Sequence, residues 1–378
     1  MRVLHVAPSF ARRDGGPSEV LRGLLPALSD RGISWTLVAT DKGATPDDDD
    51  LRLDERTTAV RSRLLPRWTF AWGLRRPLRQ AIVDSDIVHI HSVHTFPSSM
   101  AMSLARRHRK PYVLEPHGAL DTYHLGKGAA MKRLYSRLID RRGLRHLSAA
   151  VYSSTMEMNQ GKQFLPTVPS YVMPLGVAQD LFDVPLAKNR EPARILFLGR
   201  VTEKKRLDLV LKALSTPKLR SSNVKLVVAG PLDPRLEYDP STLARELGVE
   251  PRVEFLGQVD SNTRSHLLST SAAFVLPSED ESFGMAVAEA LAAGCPVICS
   301  DHIGIAKRAA DEGALVISEL SESGLAGAIE AVLSDPHSSA EMAMRGRRYA
   351  HANFTWAIAA ERISIAYDEV LAARAVGA

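Results

Sequence analysis

Residues 277–296 read PSEDESFGMAVAEALAAGCP, and this segment is the most informative about the fold. An apolar run at 272–276 precedes it, and a short apolar run that ends in a polar loop is typical of a buried strand in a parallel sheet. The loop leads to Gly284, after which small and apolar residues predict a helix that ends at Gly294. Amide groups at the start of such a helix attract anionic ligands. The stretch therefore predicts a strand–loop–helix unit with a ligand site at its loop.

The same alternation extends in both directions along the chain. Strands are predicted at 3–7, 33–39, 86–91, 112–115 and 149–153, and again at 194–198, 224–229, 253–256, 272–276, 296–299 and 315–317. Helical patterns lie between them, the clearest at 16–31, 97–109, 127–146 and 356–373. Repeated alternation of this kind predicts an α/β protein with parallel sheets covered by helices on both faces.

A polar, proline-flanked segment at 183–192 interrupts the alternation and is typical of an interdomain linker. The 378 residues also exceed what one compact core usually holds. We therefore expect two doubly wound domains, 1–183 and 184–355, with ligands at the carboxyl ends of their strands.

Two carboxylates, Glu281 and Glu289, lie eight residues apart around the predicted helix start. Both side chains can face a ligand above that start, and carboxylates accept hydrogen bonds from sugar hydroxyls. Taken alone, the spacing fits an ordinary capped helix with a solvated glutamate equally well.

Five segments in the right order resemble the motifs of the retaining GT4 glycosyltransferases. Residues 281–289 resemble the family's E-x7-E motif, and the other segments are GG at 15–16, PHG at 116–118, LGRVTEKKRLDLVLKA at 198–213 and the aromatic residues of 354–367. The likeness spans essentially the whole chain. It implies the GT-B fold, which has two Rossmann-like domains separated by a cleft, and a final helix (356–378) that crosses back onto the first domain.

The resemblance implies that the second domain holds a nucleotide-sugar donor. Arg200 and Lys205 neutralise the donor diphosphate, because Arg and Lys make charge-assisted hydrogen bonds to phosphate. Glu281 binds the donor sugar and Glu289 the ribose. Without the motif, each of the two cations would be taken for a solvated surface residue.

Backbone amides and one histidine complete the implied site. The amides that contact sugar and phosphates are those of Gly15, Gly16, Phe283, Gly284 and Met285. His117 lies beside the transferred sugar and joins Arg200, Lys205 and Glu281 as the implied catalytic set. For the glycine pair, a simple tight turn before a helix is a fair alternative.

Two positions depart from the family pattern. Arg206 stands where the motif has glycine, so the loop is less permissive or brings another cation. An acidic residue usually follows the strand after the E-x7-E motif, and here Asp301 is present but no glutamate lies near Ile305.

No metal or other cofactor is expected. His89, His91 and His94 lie on one predicted strand and its exit, without carboxylate partners at ligand spacing. The resemblance likewise implies that protein cations, rather than a metal, neutralise the diphosphate. The two cysteines, Cys295 and Cys299, exclude a disulfide framework and fit small apolar residues on a strand.

Charge is unevenly distributed, with a net +8 over 1–185 and −3 over 186–378. Basic residues with tryptophans at 61–79 and with leucines at 127–145 suit an anionic membrane surface, although solvated helices explain them nearly as well. No pattern typical of nucleic-acid binding occurs. No apolar run reaches the roughly 18 residues that span a bilayer, so we expect a cytoplasmic protein, peripheral on the inner face of the membrane.

The resemblance implies transfer of a hexose from a UDP- or GDP-sugar, with retention, to a saccharide acceptor in glycan or polysaccharide biosynthesis. A lipid-linked acceptor fits the basic segments. Two alternatives stay open: a nucleotide-sugar epimerase on the same fold, and a non-catalytic protein that binds nucleotides or membranes. The base, sugar and linkage do not follow from the sequence.

Overall fold

The computed structural model describes residues 1–62, 68–120, 139–185 and 190–376. The chain divides into two compact units. The first unit is Met1–Gly176 together with Trp356–Ala378, and the second unit is Val177–Thr355. The division falls at Gly176, ahead of the predicted boundary at 183.

A parallel sheet of seven described strands forms the core of the first unit. The strands are β1 Arg2–Ala7, β2 Ser34–Thr40, β3 Thr57–Val60, β4 Ile87–His91, β5 Tyr112–Glu115, β6 Ala149–Tyr152 and β7 Ser170–Val172. Their order is β3-β2-β1-β4-β5-β6-β7, so the winding direction reverses between β1 and β4. Ligands of doubly wound sheets bind at the carboxyl ends of the strands beside such a reversal.

The second unit contains a parallel sheet of six described strands. They are β8 Glu191–Leu198, β9 Lys225–Ala229, β10 Val253–Gly257, β11 Ser271–Leu276, β12 Val297–Cys299 and β13 Val316–Ile317. The order β10-β9-β8-β11-β12-β13 places the reversal between β8 and β11. The loops that follow these two strands, which carry the predicted donor residues, therefore leave the same edge of the sheet side by side.

Helices cover the sheets and follow the strands in alternation. They are α1 Gly16–Asp30, α2 Asp49–Arg52, α3 Arg75–Asp84, α4 Phe96–Arg107, α5 Arg141–Leu144, α6 Thr155–Lys162, α7 Asp180–Asp183, α8 Leu207–Ser215, α9 Pro217–Arg220, α10 Pro240–Glu246, α11 Ser261–Thr270, α12 Met285–Ala292, α13 Ala306–Asp311, α14 Glu322–Ser334, α15 Pro336–Asn353 and α16 Trp356–Val376. The predicted α/β class is confirmed. Within the described residues, no helix is long and apolar enough to cross a membrane.

Helix α16 belongs to the first unit although it follows the second unit in the chain. Its first residue, Trp356, packs where two glycines leave room. A β-carbon on Gly23 would lie 1.9 Å from the indole, and one on Gly176 would lie 2.5 Å from it. Any larger residue at either position would displace the tryptophan. These two glycines therefore allow the start of α16 to pack against the rest of the first unit.

Sequence patterns found the central strands but not β3 and β7. The central strands β1, β4 and β5 are almost entirely buried, which is why they appear as continuous apolar runs. The residues of β3 and β7 are exposed or half-buried, so neither strand has such a run. Both lie at the edges of their sheet.

Candidate active site

Two loops of the second unit meet at the reversal between β8 and β11. The Lys204 carbonyl accepts hydrogen bonds from the backbone N–H of Glu279 at 2.7 Å and from the hydroxyl of Ser278 at 3.0 Å. These bonds fix the segment that carries Lys205 against the segment that carries Glu281.

Lys205 and Glu281 form an ion pair in this position. The Lys205 Nζ lies 3.1 Å from the Glu281 carboxylate, and the Lys204 Nζ lies 4.0 Å from it. Burial alone would raise the pKa of Glu281, but the charges of Lys205 and Lys204 lower it. An ionised carboxylate beside an ammonium group can accept hydrogen bonds from a polyol while the ammonium meets an anion.

Glycines let the backbone approach this ion pair. Gly199 adopts a φ of 121°, and a β-carbon there would lie 3.2 Å from the Lys205 Nζ. Gly284 adopts a φ of 101°, and a β-carbon there would lie 2.3 Å from the Ile303 side chain. Both positions require glycine, since φ in this range strains other residues.

Helix α12 begins directly after Gly284, so the predicted strand–loop–helix unit is present. Met285 is its first residue. Phe283 is buried, and its ring packs edge-to-face on Phe354 with centroids 5.3 Å apart. This packing holds the backbone of the helix start in place.

Glu289 lies one turn further along α12. Its carboxylate accepts a hydrogen bond from the guanidinium of Arg264, on α11, at 2.9 Å. Arg200 is exposed and follows Gly199 at the end of β8. Arg200, Lys205, Glu281 and Glu289 thus all lie in the second unit, and their roles toward a donor stay predictions.

Arg206 adopts the left-handed backbone conformation, with a φ of 53°. This explains why the related motif has glycine at this position. The guanidinium is occupied by Asp208, at 2.9 Å and 3.1 Å, and by Glu279, at 2.5 Å. The additional cation expected from the sequence is therefore used to join the two loops.

We expect Arg206→Ala to be less stable than Arg206→Gly by about 1 kcal/mol, because both variants lose the bridge but only glycine avoids the left-handed penalty. Relative to the parent protein, the lost ion pairs cost about 0–1 kcal/mol each, since they are partly exposed. Urea unfolding midpoints of the three proteins measure the difference. Equal midpoints for the glycine and alanine variants would show that the backbone is not strained there.

Asp301 is half-buried and lies on the loop after β12. Its carboxylate is 3.4 Å from the Lys307 Nζ and 3.5 Å from the His302 ring. The carboxylate is thus paired with its chain neighbour and with a lysine in the first turn of α13. Cys295 and Cys299 are buried, and burial raises the pKa of Cys295 to about 12.

The predicted glycine pair of the first unit lies at the start of α1. Gly15 has a φ of 80°, and its N–H donates to the Arg12 carbonyl at 3.0 Å. Gly16 is the first helical residue, and no hydrogen bond between described residues uses its amide. Of the two amides assigned to the diphosphate, the Gly16 amide is therefore the candidate donor.

His117 follows β5 and turns toward the sheet. Its Nε2 lies 3.0 Å from the His91 Nδ1, and its Nδ1 lies 3.4 Å from the Glu115 carboxylate. Burial lowers the pKa of His117 to about 4, against the opposing effect of Glu115. At neutral pH its imidazole is therefore uncharged.

His117 is one member of a buried cluster that we call the histidine cluster, formed by His5, His89, His91, Glu115 and His117. The register of the sheet assembles it, since His5 pairs with His89 and His91 with Glu115 on neighbouring strands. Glu115 lies 3.1 Å from His89 and 3.3 Å from His91. The sequence-based ground for setting a metal aside, the lack of a carboxylate partner, is therefore wrong.

Burial also affects the ionisation of other members of the histidine cluster. It lowers the pKa of His5 well below its usual value and that of His89 to about 4. Burial would raise the pKa of Glu115, but the neighbouring imidazoles of His117, His89 and His91 hold it well below its usual range. His94 is not part of the cluster, because its Nδ1 pairs with Asp140 at 3.1 Å.

Comparison with known proteins follows the division into two units. The family model for the glycosyl transferase 4-like domain matches residues 15–176, and that for glycosyl transferases group 1 matches residues 179–349. The chain belongs to the GT4-type glycosyltransferases. A relative of this glycosyltransferase is GDP-mannose:cellobiosyl-diphosphopolyprenol alpha-mannosyltransferase of Xanthomonas campestris, which is 26% identical over 325 residues, 84% of this chain and 83% of the relative.

Solved structures share the fold. Sucrose-phosphate synthase of Thermosynechococcus elongatus has a TM-score of 0.73 at 19% identity, over 99% of this glycosyltransferase and 100% of that chain. Anabaena HepE in complex with UDP has a TM-score of 0.72 at 17% identity, over 98% and 100% of the two chains. The GT-B fold class predicted from the sequence is confirmed.

Proposed function

We propose that this glycosyltransferase transfers a hexose from a UDP- or GDP-sugar, with retention, to a lipid-linked saccharide. The observation that carries the proposal is the Lys205–Glu281 ion pair at the sheet reversal of the second unit. The named activity of the Xanthomonas relative, from GDP-mannose to a diphosphopolyprenol-linked sugar, supports the donor and acceptor classes. The complex of Anabaena HepE with UDP supports a nucleotide donor.

In this proposal the donor diphosphate lies against Lys205 and Arg200, and the amides at the start of α12 donate further hydrogen bonds to it. Charge develops on this diphosphate as the bond to the sugar breaks. Preorganised cations and amides stabilise such charge without reorganisation during the reaction. Glu281, held ionised by Lys205, accepts hydrogen bonds from the sugar hydroxyls and fixes the orientation of the ring.

Retention places the acceptor hydroxyl on the face from which the diphosphate leaves. The departing phosphate oxygen then accepts the acceptor proton as the new glycosidic bond forms. Glu281 acts as a binding group in this scheme because its carboxylate is neutralised by Lys205. His117 is proposed beside the transferred sugar, where an ordered neutral imidazole supports the transition state.

Acceptor-dependent release of UDP or GDP tests the proposed function. The full chain is incubated with nucleotide sugars and a synthetic saccharide-diphospho-polyprenol, and the released nucleotide and lipid product are quantified. Conversion of the donor to another sugar without acceptor would favour an epimerase. Nucleotide binding without either reaction would favour a non-catalytic protein.

Exposed arginines on α3 of the first unit support the proposal that the acceptor is carried by a membrane. Arg75, Arg76 and Arg79 are exposed on α3, and Trp72 beside them is 80% exposed. A cavity of about 550 Å³ in the same unit is lined by Phe70, Phe96, Met100, Leu104, Arg75 and Arg107 among others. Of the predicted basic segments, Arg63, Arg67 and residues 127–138 lie outside the described residues.

We expect the protein to co-sediment with anionic but not with neutral liposomes at low salt, and to be released by salt. Each basic group near an anionic leaflet contributes about 1 kcal/mol, and salt screens this attraction. Substituting Gln for Arg75, Arg76 and Arg79 together should weaken sedimentation, whereas Arg245→Gln, in the second unit, serves as the matched control. Equal recovery in the supernatant with both kinds of liposome would contradict a membrane role.

No metal is proposed at the donor diphosphate, because Arg200 and Lys205 supply the positive charge. The initial rate should therefore be the same with added Mg²⁺, with added Mn²⁺ and after brief exposure to EDTA. An assay of nucleotide release measures it. Loss of activity that millimolar Mg²⁺ or Mn²⁺ restores would refute this part of the proposal.

A further inference from the structure

The cavity of about 550 Å³ in the first unit follows helix α4. Many of its lining residues recur with the period of that helix, and they are Phe96, Ser99, Met100, Ser103, Leu104 and Arg107. Residues at this spacing share one face of a helix. Phe96 and Arg107 are the first and last residues of α4, so the cavity extends roughly 16 Å along the helix, at a rise of about 1.5 Å per residue. We call this feature the α4 cavity.

The lining of the α4 cavity is mainly apolar. Phe96 and Met100 line it from α4, and Phe70 lines it from the preceding loop, with its ring centroid 4.5 Å from that of Phe96. The Ser99 hydroxyl donates a hydrogen bond to the buried Asp140 carboxylate at 2.6 Å, so this polar group already has a protein partner. Such a lining suits a hydrocarbon chain better than a sugar.

Arginines lie at the two ends of the α4 cavity. Arg75, which begins α3, and Arg107, which ends α4, both line the cavity and are exposed. Helices between parallel strands begin at the edge of the sheet where the strands end. Arg75 therefore lies at the carboxyl edge, where ligands of doubly wound sheets bind, and Arg107 lies at the opposite edge. The shape and charge of the cavity fit a ligand that joins one apolar chain to an anionic group beside Arg75.

Aromatic side chains connect the carboxyl-edge end of the α4 cavity to the protein surface. The Phe70 ring packs edge-to-face on Trp72, with centroids 5.1 Å apart, and Trp72 is 80% exposed. Trp68 also lines the cavity, and its carbonyl accepts a hydrogen bond from the Phe96 N–H at 2.9 Å. Tryptophan beside arginine is typical of protein surfaces at the interface between a membrane and water. The surroundings of the cavity therefore favour a lipid as its occupant.

We propose that the α4 cavity holds the isoprenoid chain of the acceptor over the units nearest its diphosphate, and that Arg75 contacts this diphosphate. The assignment rests on the proposed function, because it gives a binding site to the lipid of the acceptor proposed there. A cavity that follows one helix takes one chain, which suits a polyprenyl lipid better than a phospholipid with two acyl chains. The rest of the chain passes Arg107, an exposed cation suited to anionic headgroups, and stays in the bilayer.

Binding of prenyl diphosphates that carry no sugar tests the assignment on the full chain. Inorganic diphosphate, geranyl diphosphate and geranylgeranyl diphosphate are titrated below their micelle concentrations, and calorimetry measures their affinities. Inorganic diphosphate is the reference, because it also fits the proposed donor site. Geranylgeranyl diphosphate should bind at least about 10-fold more tightly than geranyl diphosphate, since each buried methylene raises the affinity roughly 4-fold. Equal affinities for the three compounds would overturn the assignment.

Variants locate the bound chain. Ser103 is half-buried and lines the middle of the α4 cavity, so Ser103→Phe fills it and should weaken geranylgeranyl diphosphate binding at least about 10-fold. Val83→Phe is the matched control, because it adds a ring on α3 at a position that is 42% exposed and outside the lining. Parental affinity in Ser103→Phe would contradict the assignment. If that variant fails to fold, Met100→Gln, which makes a lining side chain polar at similar length, takes its place.

The outcome is separable from that of the proposed function, because the binding assay needs neither donor nor turnover. Affinity that rises with chain length, without acceptor-dependent release of nucleotide, would leave the cavity as a lipid site and refute the reaction. Nucleotide release at rates independent of the acceptor's chain length would leave the reaction and refute the assignment of the cavity. A parent dimer that Ser103→Phe converts to a monomer would show that a second copy covers the cavity, and would likewise overturn the assignment.

Discussion

Lys205→Ala is expected to weaken donor binding by about 1.5–3 kcal/mol, or roughly 10- to 150-fold, and to lower kcat/KM at least as much. The substitution removes a charge-assisted contact to the diphosphate. It also removes the cation 3.1 Å from Glu281 and leaves Lys204, at 4.0 Å, as the nearest described replacement. Glu281, whose carboxylate is proposed to orient the sugar, then loses its ion pair with Lys205.

Calorimetry with UDP and GDP, together with steady-state kinetics, measures the effect of Lys205→Ala. Lys218→Ala is a suitable control, because Lys218 is an exposed lysine of the same unit whose side chain is paired with Glu330 at the surface. If Lys205→Ala bound the donor and turned over at parental values, the assignment of Lys205 to the donor diphosphate would be wrong.

Glu281→Gln and Glu289→Gln are expected to have different effects: the first on handling of the donor sugar and the second on binding of the nucleotide. Glu281→Gln should lower kcat/KM by roughly 10- to 150-fold while bare nucleotide binds nearly as in the parent, because the lost charge-assisted contacts are to the sugar. Glu289→Gln should weaken bare UDP or GDP, since the ribose hydroxyls would lose a carboxylate held by Arg264.

The same isosteric change at Glu254, which is exposed on β10, controls for the loss of one negative charge. Binding of nucleotide and of nucleotide sugar is compared across the three variants. If Glu281→Gln weakened bare nucleotide and Glu289→Gln did not, the two roles would have to be exchanged.

The proximity of the residues assigned to the donor could be predicted because they lie on loops that are local in the sequence. Gly199, Lys205, Glu281 and Gly284 lie on loops directly after two buried strands, and both strands appear as apolar runs. In a doubly wound sheet those loops leave the same edge, so contact between them follows from topology. The departure at Arg206 predicted a less permissive loop or another cation, and the structure shows a left-handed residue whose guanidinium joins the two loops.

The histidine cluster could not be predicted in the same way. Its members come from β1, β4, β5 and the turn that follows, and they meet only because the parallel register pairs His5 with His89 and His91 with Glu115. Register between parallel strands is set by packing across the whole sheet. Within the sequence the signal was polar residues inside otherwise apolar strand runs, such as IVHIH at 87–91.

The discontinuous first unit affects the order in which the protein folds during synthesis. Helix α16 leaves the ribosome after all of the second unit, whose residues Val177–Thr355 are contiguous. Until then the space between Gly23 and Gly176 has no indole to fill it, and His89 lacks the Tyr367 hydroxyl. Domains generally fold as units during translation, in chain order. In this protein the unit made first is the unit completed last, so the first unit reaches its final packing only after the second unit has been synthesised.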